Sequence, residues 1–214
     1  MTLYIAYVIL EHSIYKLPKM TTEILNSLNW IDILMGVILV RVVFIGVKRG
    51  VVIELFKFVG VFFALFITLH YFSGTSKFFQ DKVHLPESAG DLFSFILLWG
   101  LVTFVFKLIR DGFELLIKME AAHSAFDKWG GLVLSMIRGL LIGSLTVLCL
   151  RVTGMEYFTK NLEKSLTGVK LASISPQLYE ATYNNFVSKF FPSEELNKSV
   201  FKLADFEKKE KEKK

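Results

Sequence analysis

Two arginines interrupt otherwise apolar runs of this chain, and they are the residues best placed to do chemistry. Arg41 lies within the run Ile31–Val47, and Arg138 lies within the run Trp129–Leu150. A guanidinium at the centre of a bilayer costs roughly 2.5–3.5 kcal/mol on insertion scales, so it is retained where it faces a bundle interior, a water-filled cavity or a counter-charge. The two arginines either line a polar path or bind anionic groups, or else they snorkel or pair with Glu54 and Asp127 to lock helix packing. We favour the packing role, because ion pairs are a common way to accommodate such charges.

Acidic and basic residues near the ends of the apolar runs supply the counter-charges. The candidate partners of the two arginines are Asp32, Glu54 and Asp127. Glu54 and Lys57 are three residues apart, so they share a helix face and can pair. A compact basic turn, Lys48-Arg49-Gly50, ends the first apolar run.

The sequence predicts neither an enzyme nor a cofactor. The single cysteine, Cys149, cannot form an intramolecular disulfide or a thiolate metal site by itself. The sequence contains no G-x-S-x-G elbow and no glycine-rich phosphate loop after a strand. The histidines lack acidic or histidine neighbours at the spacing of metal ligands; they are His12, His70, His84 and His123.

Small residues recur at four-residue intervals in the last apolar run, and they predict a helix-packing face. Such a face lets another helix approach closely where lipid provides no hydrophobic driving force. Arg138 borders this face, so we expect it near a helix contact. We expect the small-residue face itself, called the seam below, to pack protomers or partner proteins together. The four positions are Gly131, Ser135, Gly139 and Gly143.

The elements that must position these residues are four long apolar segments. The chain is 53% hydrophobic, which is high for a soluble protein. A soluble domain of 214 residues has room to bury one such helix on all sides, hardly four. The predicted fold is all-α, a polytopic membrane protein with about four transmembrane helices plus interfacial amphipathic helices. The segments run at about Ile31–Val47, Val51–Phe72, Asp91–Ile109 and Trp129–Leu150.

The remaining sequence divides around this transmembrane unit. We expect a peripheral N-terminal extension (1–29), a four-helix transmembrane domain (30–150), an amphipathic C-terminal region (151–192) and a charged, disordered tail (193–214). The stretch Ser73–Gly90 reads as a loop, and an amphipathic stripe at 108–117 predicts a continuation at the membrane surface. A further apolar stripe between Pro176 and Pro192 predicts an interfacial or a docking helix, comprising Tyr179, Tyr183, Phe186, Val187 and Phe190.

The net charge of +5 does not indicate nucleic-acid binding. A nucleic-acid-binding protein carries Lys and Arg along one face, whereas here they lie at the ends of the apolar blocks, as in membrane proteins. The basic residues near the spans are almost evenly divided between the two sides, so they leave the orientation open. The tight Lys48-Arg49 turn favours a cytoplasmic position for that turn.

The order of these features resembles the colicin V production protein (CvpA) family of bacterial inner-membrane proteins. The resemblance covers about Asp32 to Leu150. It is carried by Asp32 and Gly46, the Lys48-Arg49-Gly50 turn, Glu54, the sequence Phe126-Asp127-Lys128-Trp129-Gly130-Gly131, and Arg138-Gly139. This chain has Asp127-Lys128 where the family typically has Asp-Arg, and Ser135 where it often has another glycine.

The resemblance implies a membrane protein linked to bacteriocin production and, more broadly, to envelope homeostasis, with no catalytic residues to carry over. The first hypothesis is therefore an accessory membrane protein that supports toxin production or export and envelope integrity. The alternative is a small oligomeric channel or transporter that uses Arg41, Arg138 and Glu54. The partners expected are the lipid bilayer and a homo-oligomer or other membrane proteins, with no nucleic acid.

Overall fold

Four long helices form the body of the protein. The computed structural model describes residues 29–117 and 125–205, which contain helices and no strand. Each long helix has a stretch long and apolar enough to cross a membrane, which confirms the predicted polytopic all-α class. The four helices are α1 (Trp30–Arg49), α2 (Val51–Val83), α3 (Glu87–Ile117) and α4 (Ala125–Val152).

A single residue, Gly50, joins α1 to α2. Its φ is 81°, a backbone conformation that glycine adopts without the steric cost that a Cβ brings. Its N–H donates to the carbonyl of Gly46 and its own carbonyl accepts from the N–H of Glu54, each at 3.2 Å. The turn therefore starts α2 directly after α1 and places Glu54 in the first turn of α2.

The predicted loop Ser73–Gly90 is wrong, because most of it is helical. Helix α2 continues to Val83 and α3 starts at Glu87, so only residues 84–86 connect them. The polar residues are accommodated because the two helix ends pack together: a Cβ on Gly90 would lie 3.0 Å from Ser76 Oγ. Pro86 precedes the first turn of α3, where proline does not break a helix. The 33 residues of α2 span about 50 Å, more than the ~30 Å hydrocarbon core, so α2 extends beyond the membrane.

Shorter helices follow α4 and fold back onto it. They are α5 (Glu156–Lys164), α6 (Gly168–Thr182), a π-helical turn (Tyr183–Val187), α7 (Ser188–Phe190) and α8 (Ser199–Ala204). The predicted apolar stripe after Pro176 is only partly a docking face. Tyr179 is fully buried, whereas Phe186 and Phe190 are exposed. The π-helical turn widens the helix after Thr182, so the stripe does not continue along one line.

Helix α4 lies at the centre of the packing. Half of its apolar stretch is buried, compared with 17–33% for the other three spans. Helix α1 packs on α4, α3 packs on α2, and α2 packs on α4. One core cluster combines Leu65 of α2, Phe95 of α3, Leu145 of α4, Tyr179 of α6 and Val200 of α8.

Residues 193–205, which the sequence assigned to a disordered tail, are packed against the rest of the protein. Val200 of α8 is fully buried in the core cluster. The Arg151 guanidinium donates from Nε to the Leu203 carbonyl at 3.0 Å and from Nη2 to the Asp205 carbonyl at 2.9 Å. Residues 193–205 are therefore part of the folded body. The predicted peripheral extension, apart from Asn29, and residues 206–214 lie outside the described residues.

Candidate functional site

A buried cluster of three charged side chains joins α2 to α4. The Glu54 side chain is fully buried, and its Oε2 lies 2.7 Å from Nη2 of Arg138. Lys57, one turn further along α2, pairs with Oε1 of the same carboxylate. Glu54 is thus the counter-charge that holds Arg138 inside the bundle, because an unpaired guanidinium at this depth would be costly. The Arg138 Nε is buried and has no hydrogen-bond partner among the described residues.

The small-residue face of α4 packs against α1 of the same chain. A Cβ on Gly46 would overlap the Ser135 side chain and lie 2.9 Å from the Gly131 carbonyl oxygen. A Cβ on Gly139 would lie 2.9 Å from Leu39 Cδ1. The Ser135 hydroxyl donates to the Leu132 carbonyl at 2.8 Å, within its own helix. The two backbones therefore approach as closely as small residues permit.

The last member of the seam, Gly143, faces Met35 of α1 and Leu171 of α6. The structure thus assigns the whole face to contacts within one chain, whereas the sequence alone suggested contacts between protomers or partner proteins. Association with a second copy or another protein stays a prediction, and it would need a surface other than this seam.

A basic cavity lies between the spanning helices, next to the buried charge cluster. It has a volume of about 370 Å³. All four spanning helices contribute to its wall, because α1 and α3 pack on different members of the α2–α4 pair. Among the described residues that line it there is no Asp or Glu. Its cationic residues are Arg41, Arg49, Lys57, Lys107, Arg110 and Arg138.

The structure places the other basic and acidic candidates outside this cavity. Lys48 lies over the Phe44 ring, 4.1 Å from its centroid. Asp127 is in the first turn of α4, where a carboxylate interacts favourably with the helix dipole. Within the described residues Arg41 makes no ion pair, so the expected pairing of Arg41 with an end-of-segment acid is absent there.

Asp32 lies at the start of α1, at the end opposite the Gly50 turn, and has a different structural role. Its Oδ1 accepts hydrogen bonds from the hydroxyls of Ser165 and Thr167, each at 2.7 Å, and from the Thr167 N–H at 2.9 Å. Its Oδ2 accepts from the N–H groups of Asn29 at 3.0 Å and Leu166 at 3.3 Å. Asp32 is therefore not a partner of Arg41 or Arg138; it fastens the connection between α5 and α6 to the start of α1.

Sequence reasoning missed a buried polar network around His70. Its Nδ1 lies 2.8 Å from the Tyr179 hydroxyl and its Nε2 lies 3.1 Å from Glu194 Oε2. The Asn197 N–H donates to the Tyr179 hydroxyl at 3.0 Å, and the Asn197 side chain donates to the Leu69 carbonyl at 2.7 Å. Burial raises the pKa of Tyr179 to about 12, so its hydroxyl stays neutral. These partners are 109 and 124 residues from His70, so spacing along the chain carried no signal for them.

The described residues contain no group of three or more His, Cys, Asp or Glu side chains that could hold a metal ion.

A protein-family model described as colicin V production protein matches residues 31–176. The chain belongs to the colicin V production protein family. The match begins one residue before Asp32 and ends at Pro176, so it includes the four spans and the α5–α6 connection that Asp32 fastens. It confirms the resemblance carried by residues 32–150 and extends it into α6.

The colicin V production protein family is a family of membrane proteins and is not a known enzyme family. With four apolar helices of spanning length, this member is a multi-pass membrane protein. No curated protein and no solved structure matches the chain.

Proposed function

We propose that this protein is an accessory membrane protein of the bacterial inner membrane that supports the production and export of a colicin V-like toxin and the homeostasis of the cell envelope. The observation that carries the proposal is the family match across residues 31–176. The matched region is also the part that the structure ties together, from the Asp32 cap to the α1–α4 seam and the Glu54–Arg138 pair. The family supports a role in colicin V production; export and envelope homeostasis are the finer parts of the proposal.

Toxin fractionation in a producing strain tests this proposal. The gene is deleted, and toxin is measured by immunoblot and killing activity in the cells and in the medium. We expect extracellular toxin to fall at least fivefold on deletion and to return with the wild-type gene. Uptake of an envelope-impermeant dye, measured in the same cultures without toxin, reports the envelope role. Unchanged extracellular toxin and dye uptake in the deleted strain would overturn the proposal.

A small oligomeric channel is the second candidate, and the basic cavity favours it. The cavity wall uses residues from the halves of α1 and α2 nearest Gly50, and it does not include Asp32 at the far end of α1. Such a cavity reaches part of the way across the membrane in one protomer. Anion flux through purified protein in liposomes would support the channel if Arg41→Leu abolished it while the protein stayed folded. We expect no flux above that of empty liposomes.

A further inference from the structure

We propose that the basic cavity binds a phosphate group, supplied by the headgroup of an anionic phospholipid or by free phosphate. This inference goes beyond the proposed role in toxin production and does not depend on it. The cavity is lined by Arg41, Arg49, Lys57, Lys107, Arg110 and Arg138.

The first argument is the charge that faces the cavity. Glu54 lies behind the wall, where it contacts Lys57 and Arg138, and Asp111 contacts Arg110 from the same helix, at 3.0 Å from its Nε. Neither carboxylate is among the residues that line the cavity. Arg138 is buried and Lys57 and Arg110 are half-buried, while Arg41, Arg49 and Lys107 are exposed around them, and cations gathered around one cavity repel each other. An anion in the cavity relieves this repulsion.

The second argument is the hydrogen-bonding capacity left in the wall. The Arg138 side chain is about nine-tenths buried, and its Nε has no partner among the described residues. A buried donor without a partner costs free energy that an acceptor in the cavity would recover. Arg41 also lines the cavity and makes no ion pair in the described part of the chain. Guanidinium groups suit phosphate oxygens because their donors are arranged as a planar fork.

The third argument is the mixed character of the wall. Apolar side chains alternate with the basic ones, among them Val42, Ile45, Phe56, Phe106 and Ile142. The basic residues Arg49 and Arg110 lie towards the ends of α1 and α3, which places the cavity in the half of the bundle nearest the Gly50 turn. Basic pockets between transmembrane helices bind phospholipid headgroups in this way, with apolar surface beside them for acyl chains. The volume of about 370 Å³ accommodates a phosphate with part of a headgroup.

The test measures thermal stabilisation of the purified full-length protein in detergent. Three additions are compared: phosphatidylglycerol, phosphatidylcholine and inorganic phosphate. The variants are Arg41→Gln, which removes a cavity cation outside the Glu54 cluster, and Lys48→Gln. Lys48 is the matched control, since it lies on the same helix, carries the same charge, and is over Phe44 rather than in the cavity wall.

Phosphatidylglycerol or inorganic phosphate should raise the Tm of the wild-type protein in a saturable manner, and Arg41→Gln should weaken the apparent affinity at least fivefold. Lys48→Gln should bind as the wild type does, and phosphatidylcholine should shift the Tm less than phosphatidylglycerol. Stabilisation by phosphatidylglycerol but not by inorganic phosphate assigns the group to a lipid headgroup, and stabilisation by inorganic phosphate alone assigns it to the free ion. No shift with either anion, or an equal loss of affinity in both variants, would overturn the proposal.

Discussion

At the scale of single residues, the two buried acids of the spans differ from Arg41 in their surroundings. Glu54 forms ion pairs with Arg138 and Lys57, and Asp32 accepts hydrogen bonds from the α5–α6 connection. Arg41 instead faces the basic cavity. Breaking a buried ion pair is strongly destabilising, because it leaves an uncompensated buried charge. Loss of the Glu54 or Asp32 contacts therefore affects stability, and loss of the Arg41 charge affects binding in the cavity, while Lys57 and Arg138 contribute to both.

Replacing Arg138 by Leu should destabilise the protein because it leaves the fully buried Glu54 with Lys57 alone. We expect a loss of about 3 kcal/mol in the free energy of unfolding, at the lower end of the range for broken buried pairs. The double variant Arg138→Leu with Glu54→Gln should recover part of this loss, since the buried negative charge is also removed. Unfolding in mixed micelles measures both. A double variant that is less stable than Arg138→Leu would contradict the pairing.

Replacing Asp32 by Ala should loosen the connection between α5 and α6. Five donors lose their acceptor, and each donor left buried and unpaired costs ~1–3 kcal/mol. We expect the free energy of unfolding to fall by on the order of 3 kcal/mol and residues 165–167 to become sensitive to protease. Ser173→Ala is the control, because that hydroxyl bonds only to the Lys170 carbonyl of its own helix. Equal protease resistance of the two variants would refute the anchoring role of Asp32.

At the scale of the elements, the close contact between α1 and α4 at the seam determines how the other spanning helices are placed. Gly46 and Gly131 bring the two backbones together next to the Gly50 turn. Helix α1 packs against α4, and α3 packs against α2. The helices α1 and α3 therefore line different sides of the basic cavity. The geometry of the cavity is thus a consequence of glycine positions in the helices rather than of the basic residues themselves.

Gly46→Ala should weaken the seam, because its Cβ would overlap Ser135 and lie 2.9 Å from a backbone oxygen of Gly131. The backbone cannot give way as a side-chain end would, so we expect a lower Tm despite the better helix propensity of alanine. Gly36→Ala on the same helix is a matched control, since a Cβ there meets nothing within 4 Å. The Tm of Gly36→Ala should match or exceed that of the wild type. Equal Tm values for the two variants would show that the seam is not closely packed.

The sequence was informative about the spans and less so about their ends. Apolar run length gave the four crossings, because hydrophobic thickness fixes a minimum length. The run length did not predict that α2 continues as a helix beyond Phe72. The polar residues Ser73, Ser76 and Gln80 indicated a loop, but they lie in the helix and contact other parts of the protein. Glu54 was one of several acids that the sequence offered as the partner of Arg138. The His70–Tyr179 contact depends on how α6 folds back, which no local pattern encodes.

At the scale of the whole molecule, α1 and α4 are neighbours within one chain. Asp32 lies on α1, Arg138 of the buried charge cluster lies on α4, and both helices line the basic cavity. If the small-residue face of α4 instead met a second copy, α1 would be displaced and the cavity would lose one wall. The family match covers both helices.

A disulfide between Val42 and Gly139 tests this arrangement most directly. A Cβ on Gly139 would lie 3.8 Å from the Val42 Cβ, a separation typical of disulfides. With Val42→Cys and Gly139→Cys in a Cys149→Ser background, oxidation in membranes should give a crosslink within one chain. After oxidation the protein is treated with maleimide–polyethylene glycol and run on a non-reducing gel. A crosslink within one chain leaves the band at the position of the unmodified monomer, because neither thiol can react. Covalent dimers with no protected monomer would contradict the account, because the seam would then join two copies.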